Sequence, residues 1–278
     1  MAAPTAKLGD LGRSRELLRN LVAKELKVRY KDSALGFVWS LLTPLLMTAV
    51  FTVVFATFLR IPLGQGNFAT FFLAGYLAWQ FFSNSVNASV GAIVGNGPLI
   101  RKVYFRREVL PLSIVLSQAV HFLLALAATL PIFAWFRGLH PQTLPAVAGG
   151  LVLLTLFTAG MSMLFAAANV GFRDLQELTQ VIFLAWFYAT PIIYPLFFVQ
   201  QTAEARRFLP VLLANPMTWF VQLFQSALYG TPRGVGPNPG PTWPDAQTWT
   251  VCAAWALGAL VLGYWLFDRL AVTFAKEV

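Results

Sequence analysis

A cluster of basic side chains, set between two long uncharged segments, is the part of this sequence best suited to chemistry. The segment 97–111 reads GPLIRKVYFRREVLP, and the flanking segments 69–96 and 109–136 contain no Asp, Glu, Lys or Arg. The charged residues of the cluster are Arg101, Lys102, Arg106, Arg107 and Glu108. Cations at this density can steer and fix an acidic surface on a partner protein. We expect a short helix here, exposed at a membrane surface.

The same segment offers packing area as well as charge. Val103, Tyr104 and Phe105 lie between the basic pairs and could transmit force to whatever follows them. The chain holds no Gly-x-x-x-x-Gly-Lys-Ser/Thr motif, the usual phosphate-binding loop of nucleotide-binding proteins. Energy for moving a cargo would therefore enter from a partner, through this segment. The alternative is a plain connecting loop whose charges only follow the positive-inside distribution.

Composition places the chain in a membrane. Of its 278 residues 58% are hydrophobic and only 11% are charged, whereas about a quarter are charged in soluble domains. The mean hydropathy is +0.66. The net charge of +9 does not indicate nucleic acid, because the basic residues cluster at the ends of apolar segments, where they meet anionic headgroups. The single Cys252 excludes a disulfide within one chain.

The apolar segments predict an all-α integral membrane protein with six transmembrane helices. A helix over the first segment, 35–58, would be about 36 Å long, which is enough to cross a bilayer. The second is polar in its later half, so those side chains must face protein or water. The predicted spans are 35–58, 68–96, 109–136, 144–170, 179–194 and 248–267.

Two shorter features complete the predicted fold. The segment 12–32 is amphipathic but too polar to cross a membrane, so we expect a helix in the bilayer interface, or alternatively one packed on a partner protein. The apolar segments 208–213 and 217–229 are separated by Asn215 and Pro216, and neither is long enough to span. They predict two re-entrant half-helices, covered by protein or facing water, before the last span.

The distribution of Lys and Arg predicts the orientation. With six spans, one side receives fifteen of the 20 basic residues: eight before the first span, four in 97–108, Arg173, and two after the last span. That side is predicted to be cytoplasmic, with both termini. The domains are then an N-terminal cytoplasmic segment with the interface helix (1–34), a six-span transmembrane domain (35–270) and a cytoplasmic tail (271–278). The middle domain includes a coupling loop (97–108), a re-entrant region (196–229) and an external loop (230–247).

Four sequence blocks lie in this order around the apolar segments: LKVRYKDSALGFVWSLLTPL at 26–45, RKVYFRREVLPL at 101–112, ANVGFRDLQEL at 168–178 with YATPIIYP at 188–195, and NPMTWF at 215–220. Together they resemble the transmembrane subunit of type-2 ATP-binding-cassette exporters for polysaccharides, in particular those for lipid-linked O-antigen, teichoic acid or capsule. Two departures from the pattern of that family are Arg106, where proline is usual, and Gln225, where arginine is common.

The resemblance implies a homodimer in a prokaryotic cytoplasmic membrane, with two copies of a separate ATPase that binds ATP and Mg²⁺; no cofactor is expected in this chain. It implies that the first and fifth spans line the path, and that the half-helices before the sixth span cap it on the outside, with Asn215 and Pro216 in this outer cap. It also implies that 98–107 is a coupling helix seated in the ATPase. The coupling residues would be Leu99, Arg101, Lys102, Val103, Tyr104, Phe105, Arg106 and Arg107.

Aromatic side chains are candidates for contact with a glycan. The chain is 15% aromatic, with 25 Phe and 9 Trp, and the faces of such rings can hold the C–H faces of sugars without fixing one sequence. The alternative is that these residues only face lipid or gather at membrane interfaces. The predicted channel-lining residues are Phe37, Trp39, Phe183, Trp186, Phe187, Tyr188 and Tyr194.

A few other polar residues suggest weaker hypotheses. Arg29, Arg173 and Asp174 are predicted to contact a headgroup or form a gate, although Arg173 and Asp174 could equally be a helix-ending charge pair. A permease for drugs or small lipids is a second hypothesis. A membrane enzyme acting on polyprenyl lipids is a third, for which only Asp174 and Glu177 supply a pair of acidic residues.

Overall fold

The computed structural model describes residues 15–27, 38–60, 67–102, 105–138, 140–172, 174–230 and 240–277, and within these ranges no β-strand occurs. Helix α1 covers 15–27. The helices that follow are α2 (Val38–Phe51), a π-helix (Thr52–Phe58), α3 (Phe68–Val90), α4 (Ala92–Gly95), α5 (Gly97–Lys102), α6 (Val109–Arg137), a 3₁₀ turn (Pro141–Thr143), α7 (Leu144–Gly171), α8 (Leu175–Tyr188), α9 (Leu196–Gln201), α10 (Ala203–Arg206), α11 (Leu209–Ala214), α12 (Pro216–Leu228) and α13 (Ala246–Glu277). The predicted all-α class is confirmed for the described residues.

Three helices in the described residues are long and apolar enough to cross a membrane by length and composition. They are Val109–Arg137, Pro141–Gly171 and Ala246–Ala271. Helix α3, with 23 residues, is long enough but carries the polar positions that sequence analysis singled out. Helix α8 has only 14 residues. The count of six spans therefore stays a prediction.

The last helix is longer than the sequence suggested. We predicted a span over 248–267 followed by a tail, whereas α13 runs without interruption for 32 residues from Ala246 to Glu277. Gly258 and Gly263 lie within it, and no proline follows in its second half to end it. The segment 271–277 is helical and continues the last span.

The basic segment is less helical than predicted. Helix α5 is described for six residues, Gly97–Lys102, whereas Phe105 and Arg106 have no helical assignment, and Arg107 and Glu108 form a turn that leads into α6. The structure therefore corrects the expected coupling helix over 98–107, because residues 105–107 are not helical. Residues 103–104 lie outside the described residues.

The two segments predicted to form half-helices, 208–213 and 217–229, are largely covered by helices α11 and α12, which are separated at Asn215. Helix α12 is enclosed by α3, α7 and α13, and ten of its 13 residues are buried. Its backbone is thus covered by protein, which is the condition that an interrupted helix within a membrane must meet. Whether α11 and α12 re-enter the bilayer stays a prediction.

Within the part of the chain that the structure describes, two apolar clusters hold the helices together. The larger joins α3, α6, α7 and α12 around fully buried rings, among them Phe72, Phe82, Phe157 and Phe220. The smaller, which we call the junction cluster, lies at the end of the bundle near the basic segment. Its buried members are Leu21, Ala92, Ile93, Ile100, Val109, Leu110, Met163, Ala166, Ala167, Val170 and Phe267.

Candidate functional site

The basic loop, residues 97–108, is packed onto the helix bundle through the junction cluster. Ile100 of α5 is only 8% exposed and lies in that cluster with Leu21 of α1 and Phe267 of α13. Phe105 is partly buried against the same cluster. A displacement of the loop would therefore act directly on α1, α6 and α13.

Two arginines fasten the end of the basic loop to the last helix. Arg107 donates a hydrogen bond from its Nη1 atom to the carbonyl oxygen of Ala271. Arg106 donates from Nη2 to the hydroxyl of Tyr264, at 3.4 Å. Both bonds join positions more than 150 residues apart in the sequence. The loop thus contacts α13 with polar as well as apolar groups.

Glu108 orients the guanidinium of Arg106. The Nε atom of Arg106 donates to the Oε1 atom of Glu108 at 2.6 Å. The carboxylate raises the pKa of Arg106 above its already high ordinary value, so this arginine carries its charge at every relevant pH. The Arg106 side chain is 50% exposed, whereas that of Glu108 is 17% exposed. Arg106 therefore presents an oriented positive charge to the surface.

The structure locates Phe105, Arg106 and Arg107 of the predicted coupling residues. Leu99, Arg101 and Lys102 lie on the described backbone of α5, and their side chains are outside the described residues. Val103 and Tyr104 are outside them altogether. The structure thus tests the attachment of this loop to the bundle, while its contact with a partner stays a prediction.

The predicted channel-lining aromatics of α8 divide into an inner and an outer group. Phe183 and Phe187 are 4% and 8% exposed, and their rings contact Trp79 of α3 at centroid distances of 6.1 and 5.7 Å. In this conformation neither ring is available to a ligand. Tyr188 is 55% exposed.

Tyr194 lies beside Tyr188, since its hydroxyl donates to the Tyr188 carbonyl oxygen at 3.3 Å. Trp186 is partly buried. Phe37 and the side chain of Trp39, predicted to join this surface from the first span, are outside the described residues.

Asn215 connects the end of α8 to the start of α12. Its Oδ1 atom accepts from the backbone N–H of Met217 at 3.0 Å, which caps α12, and from the indole N–H of Trp186 at 2.8 Å. Its Nδ2 atom donates to the carbonyl oxygen of Ala189 at 3.2 Å and to the hydroxyl of Thr190 at 3.0 Å. One side chain therefore fixes the angle between two elements predicted to serve the path and its cap. Pro216 occupies the first turn of α12, where its missing N–H costs no hydrogen bond.

Gln225 has a structural role that sequence reasoning did not find. It is 5% exposed, and its Nε2 atom donates to the carbonyl oxygen of Pro191 at 3.3 Å. A Cβ atom on Gly75 would lie 2.9 Å from that nitrogen, so the missing side chain at Gly75 makes room for the amide. A neutral amide can be buried here at lower cost than a charged group.

Arg137 and Tyr229 form a second contact that the sequence did not reveal. The guanidinium of Arg137 lies 4.6 Å from the ring centroid of Tyr229, and its Nε atom donates to the Tyr229 carbonyl oxygen at 3.0 Å. This pair ties the end of α6 to the end of α12. No local pattern connects two residues 92 positions apart, so only the fold brings them together.

The predicted headgroup or gate residues are only partly described. Asp174 is exposed and precedes α8 without a capping hydrogen bond from its side chain. Arg29 and Arg173 lie outside the described residues. Their predicted role is therefore untested.

Comparison with known proteins identifies relatives along nearly the whole chain. A family described as ABC-2 type transporter matches residues 16–229. The chain is 34% identical over 274 residues to the "O-antigen export system permease protein RfbA" of Myxococcus xanthus, covering 97% of this chain and 98% of that protein. It is 34% identical over 190 residues to a protein of the same description from Klebsiella pneumoniae, covering 66% of this chain and 71% of that protein. It is 23% identical over 213 residues to the "Polysialic acid transport protein KpsM" of Escherichia coli, covering 75% of this chain and 79% of that protein.

Proposed function

The chain belongs to the ABC-2 type transporter family, and from that premise we propose that it is the transmembrane subunit of an ATP-driven exporter of polysaccharide. The observation that carries the proposal is the similarity to an O-antigen export permease over 97% of this chain. Relatives described as transporting polysialic acid or capsule polysaccharide extend the same substrate class. The chain is a membrane transport permease, and its own residues bind and move a cargo.

The cargo of this exporter is a lipid-linked polysaccharide of the O-antigen, teichoic acid or capsule type, as in lipopolysaccharide assembly. A long polymer must slide, so its path needs contacts that tolerate many sugars, and exposed aromatic faces supply such contacts. Tyr188, which is 55% exposed, and the neighbouring Tyr194 support this assignment.

ATP hydrolysis takes place in a separate cassette ATPase, which also holds the Mg²⁺. Closure of that partner on ATP displaces the basic loop, and the displacement biases the spans between closed and open arrangements. Support comes from the oriented charge of Arg106 and from the packing of Ile100 into the junction cluster. The charge of Arg106 provides an electrostatic contact for the partner. The packing of Ile100 transmits the displacement of the loop to α1, α6 and α13.

The complete exporter contains two copies of this chain and two ATPases in the inner membrane, with both termini and the basic loop in the cytoplasm. Each copy crosses the membrane six times, with α2 and α8 beside the path and α11 and α12 closing it outside. Asn215, which links α8 to α12, supports a coupled movement of path and cap. Arg29, Arg173 and Asp174 meet the lipid headgroup at the entrance.

The proposal is tested by co-expressing the chain with a cassette ATPase from a polysaccharide export system, in cells that lack their own permease. Surface polysaccharide should appear, and the purified complex should hydrolyse ATP faster than the ATPase alone. A chain that assembles with the ATPase but yields no surface polysaccharide would remove the assigned cargo. Turnover of a polyprenyl-linked substrate by the isolated chain would instead favour a membrane enzyme.

A further inference from the structure

A cleft opens where α1, the end of the basic loop, α7 and α13 meet. Its volume is about 530 Å³, within the roughly 300 to 1,000 Å³ typical of sites for small ligands. Its apolar wall is formed by Leu18, Val109, Leu112, Met163, Leu260 and Val261.

The rim of this cleft carries charge. Arg15 of α1, Arg106, Glu108 and the hydroxyl-bearing Tyr264 complete its lining. The Oε1 atom of Glu108 accepts a hydrogen bond from Nε of Arg106 at 2.6 Å, and the hydroxyl of Tyr264 accepts one from Nη2 at 3.4 Å. A guanidinium has five N–H donors, so Arg106 keeps donors for a further acceptor. Two arginines and one glutamate give the rim a net charge of one positive unit.

Apart from Leu18, the apolar wall of the cleft belongs to helices that are long and apolar enough to span the bilayer. Val109, in its wall, is the first residue of α6, which is long and apolar enough to span the bilayer. Val261 of α13 is 67% exposed, so the apolar wall continues onto the outer surface of another span candidate. An occupant can therefore enter from the hydrocarbon layer while its polar end stays beside Arg15 and Arg106.

We propose that this cleft binds an anionic phospholipid, with one acyl chain along the apolar wall and its phosphate held by Arg15 and Arg106. The net positive charge of the rim matches the single negative charge of a phosphodiester such as that of phosphatidylglycerol. The proposed orientation places the site in the cytoplasmic leaflet, where anionic lipids attract basic residues, and only this choice of leaflet rests on the proposed function. A bound lipid would bridge α1, the basic loop and α13, and so hold the basic loop in place.

The experiment measures lipid binding to the full purified chain in detergent by native mass spectrometry. Phosphatidylglycerol and phosphatidylcholine with identical acyl chains are the two probes. The wild type should bind phosphatidylglycerol saturably and about tenfold more tightly than phosphatidylcholine, because the choline ammonium cancels the negative charge of the phosphate and so weakens the attraction to the net positive rim. Equal affinity for the two lipids, or no saturable binding, would overturn the proposal without any variant.

Variants separate the charge from the apolar wall. Arg15→Gln should abolish the preference for phosphatidylglycerol, whereas Arg19→Gln, one helical turn away and outside the cleft, should preserve it. Val261→Trp should fill the cleft and weaken both lipids about tenfold, whereas Leu262→Trp, at the next and also exposed position, should not. Identical behaviour within either pair would contradict the proposal. Binding is measured without ATPase or polysaccharide, so failure of the proposed export function would leave this result unchanged.

Discussion

The indole N–H of Trp186 donates a hydrogen bond to the Oδ1 atom of Asn215 at 2.8 Å. Trp186 lies near the end of α8, and Asn215 caps α12 through the N–H of Met217. The same side-chain oxygen therefore caps the start of α12 and holds the indole ring of α8. These two hydrogen bonds give the interruption between α11 and α12 one defined geometry.

Replacing Asn215 by alanine should destabilise the chain by about 2 to 4 kcal/mol. Loss of the cap costs about 1 kcal/mol, and the partly buried indole N–H loses its acceptor at a further cost of about 1 to 3 kcal/mol. Equilibrium unfolding in mixed micelles measures the change.

Asn67→Ala is the matched control for Asn215. Asn67 caps α3 through the N–H of Ala69 at 2.8 Å, and among the described residues its side chain makes no hydrogen bond to another helix. We expect a loss of about 1 kcal/mol from this variant. Equal losses for the two asparagines would show that the bond to Trp186 contributes nothing.

Reversing the charge of the basic loop should uncouple the chain from its ATPase. Arg101→Glu with Arg106→Glu replaces two positive charges in the predicted contact, so an acidic partner surface would be repelled. We expect loss of co-purification with the ATPase and loss of stimulated ATP hydrolysis. Arg206→Glu with Arg207→Glu, an exposed pair at the end of α10, makes the same charge change outside the predicted contact and serves as the control. Wild-type stimulation in the first double variant would end the coupling hypothesis.

The long apolar helices were predictable from sequence because charged or polar residues bound each apolar segment. The predicted spans 109–136 and 144–170 agree with α6 and α7 to within one residue at each end. The fifth predicted span, 179–194, is shifted relative to the helix in the structure. Helix α8 begins at Leu175, before the apolar part, and ends at Tyr188, ahead of Pro191 and Pro195.

Which aromatic residues are buried and which are exposed was not predictable in the same way. In a soluble helix, polar residues mark the outer face, whereas in a membrane helix both faces are apolar. Phe187 and Tyr188 are neighbours in one apolar segment, yet one is 8% and the other 55% exposed. The long-range bonds of Arg106 and Arg107 to α13 depend on the fold, and no local sequence pattern records them.

Alanine at Tyr188 and alanine at Phe187 should therefore have different effects. Phe187 contacts the rings of Phe51, Tyr76 and Trp79, and its truncation should cost about 3 to 5 kcal/mol of stability. Tyr188→Ala should cost about 0.5 kcal/mol or less, as exposed positions do, but should reduce polysaccharide export. Unfolding in mixed micelles and immunoblots of surface polysaccharide measure the two effects. Unchanged export in a stable Tyr188→Ala protein would remove this residue from the path.

The closest approach between α7 and α13 supplies a prediction about how the last helix is held. A Cβ atom on Gly263 would lie closer than 3.0 Å to the backbone of Gly160, and one on Gly160 would meet the backbone of Ala259. Backbone atoms cannot rotate away as a side chain can, so Gly263→Ala should force the helices apart and destabilise the protein by about 1 to 3 kcal/mol.

Gly258→Ala is the control on the same helix. Its Cβ atom would meet nothing within 4 Å, and it should instead stabilise the protein by about 0.5 to 1 kcal/mol, because alanine favours the helix. The displacement of α13 in Gly263→Ala should also reduce stimulated ATP hydrolysis, since Arg107 of the basic loop donates a hydrogen bond to Ala271 of α13. If Gly263→Ala and Gly258→Ala change stability in the same direction, close packing at this crossing does not hold α13 in place.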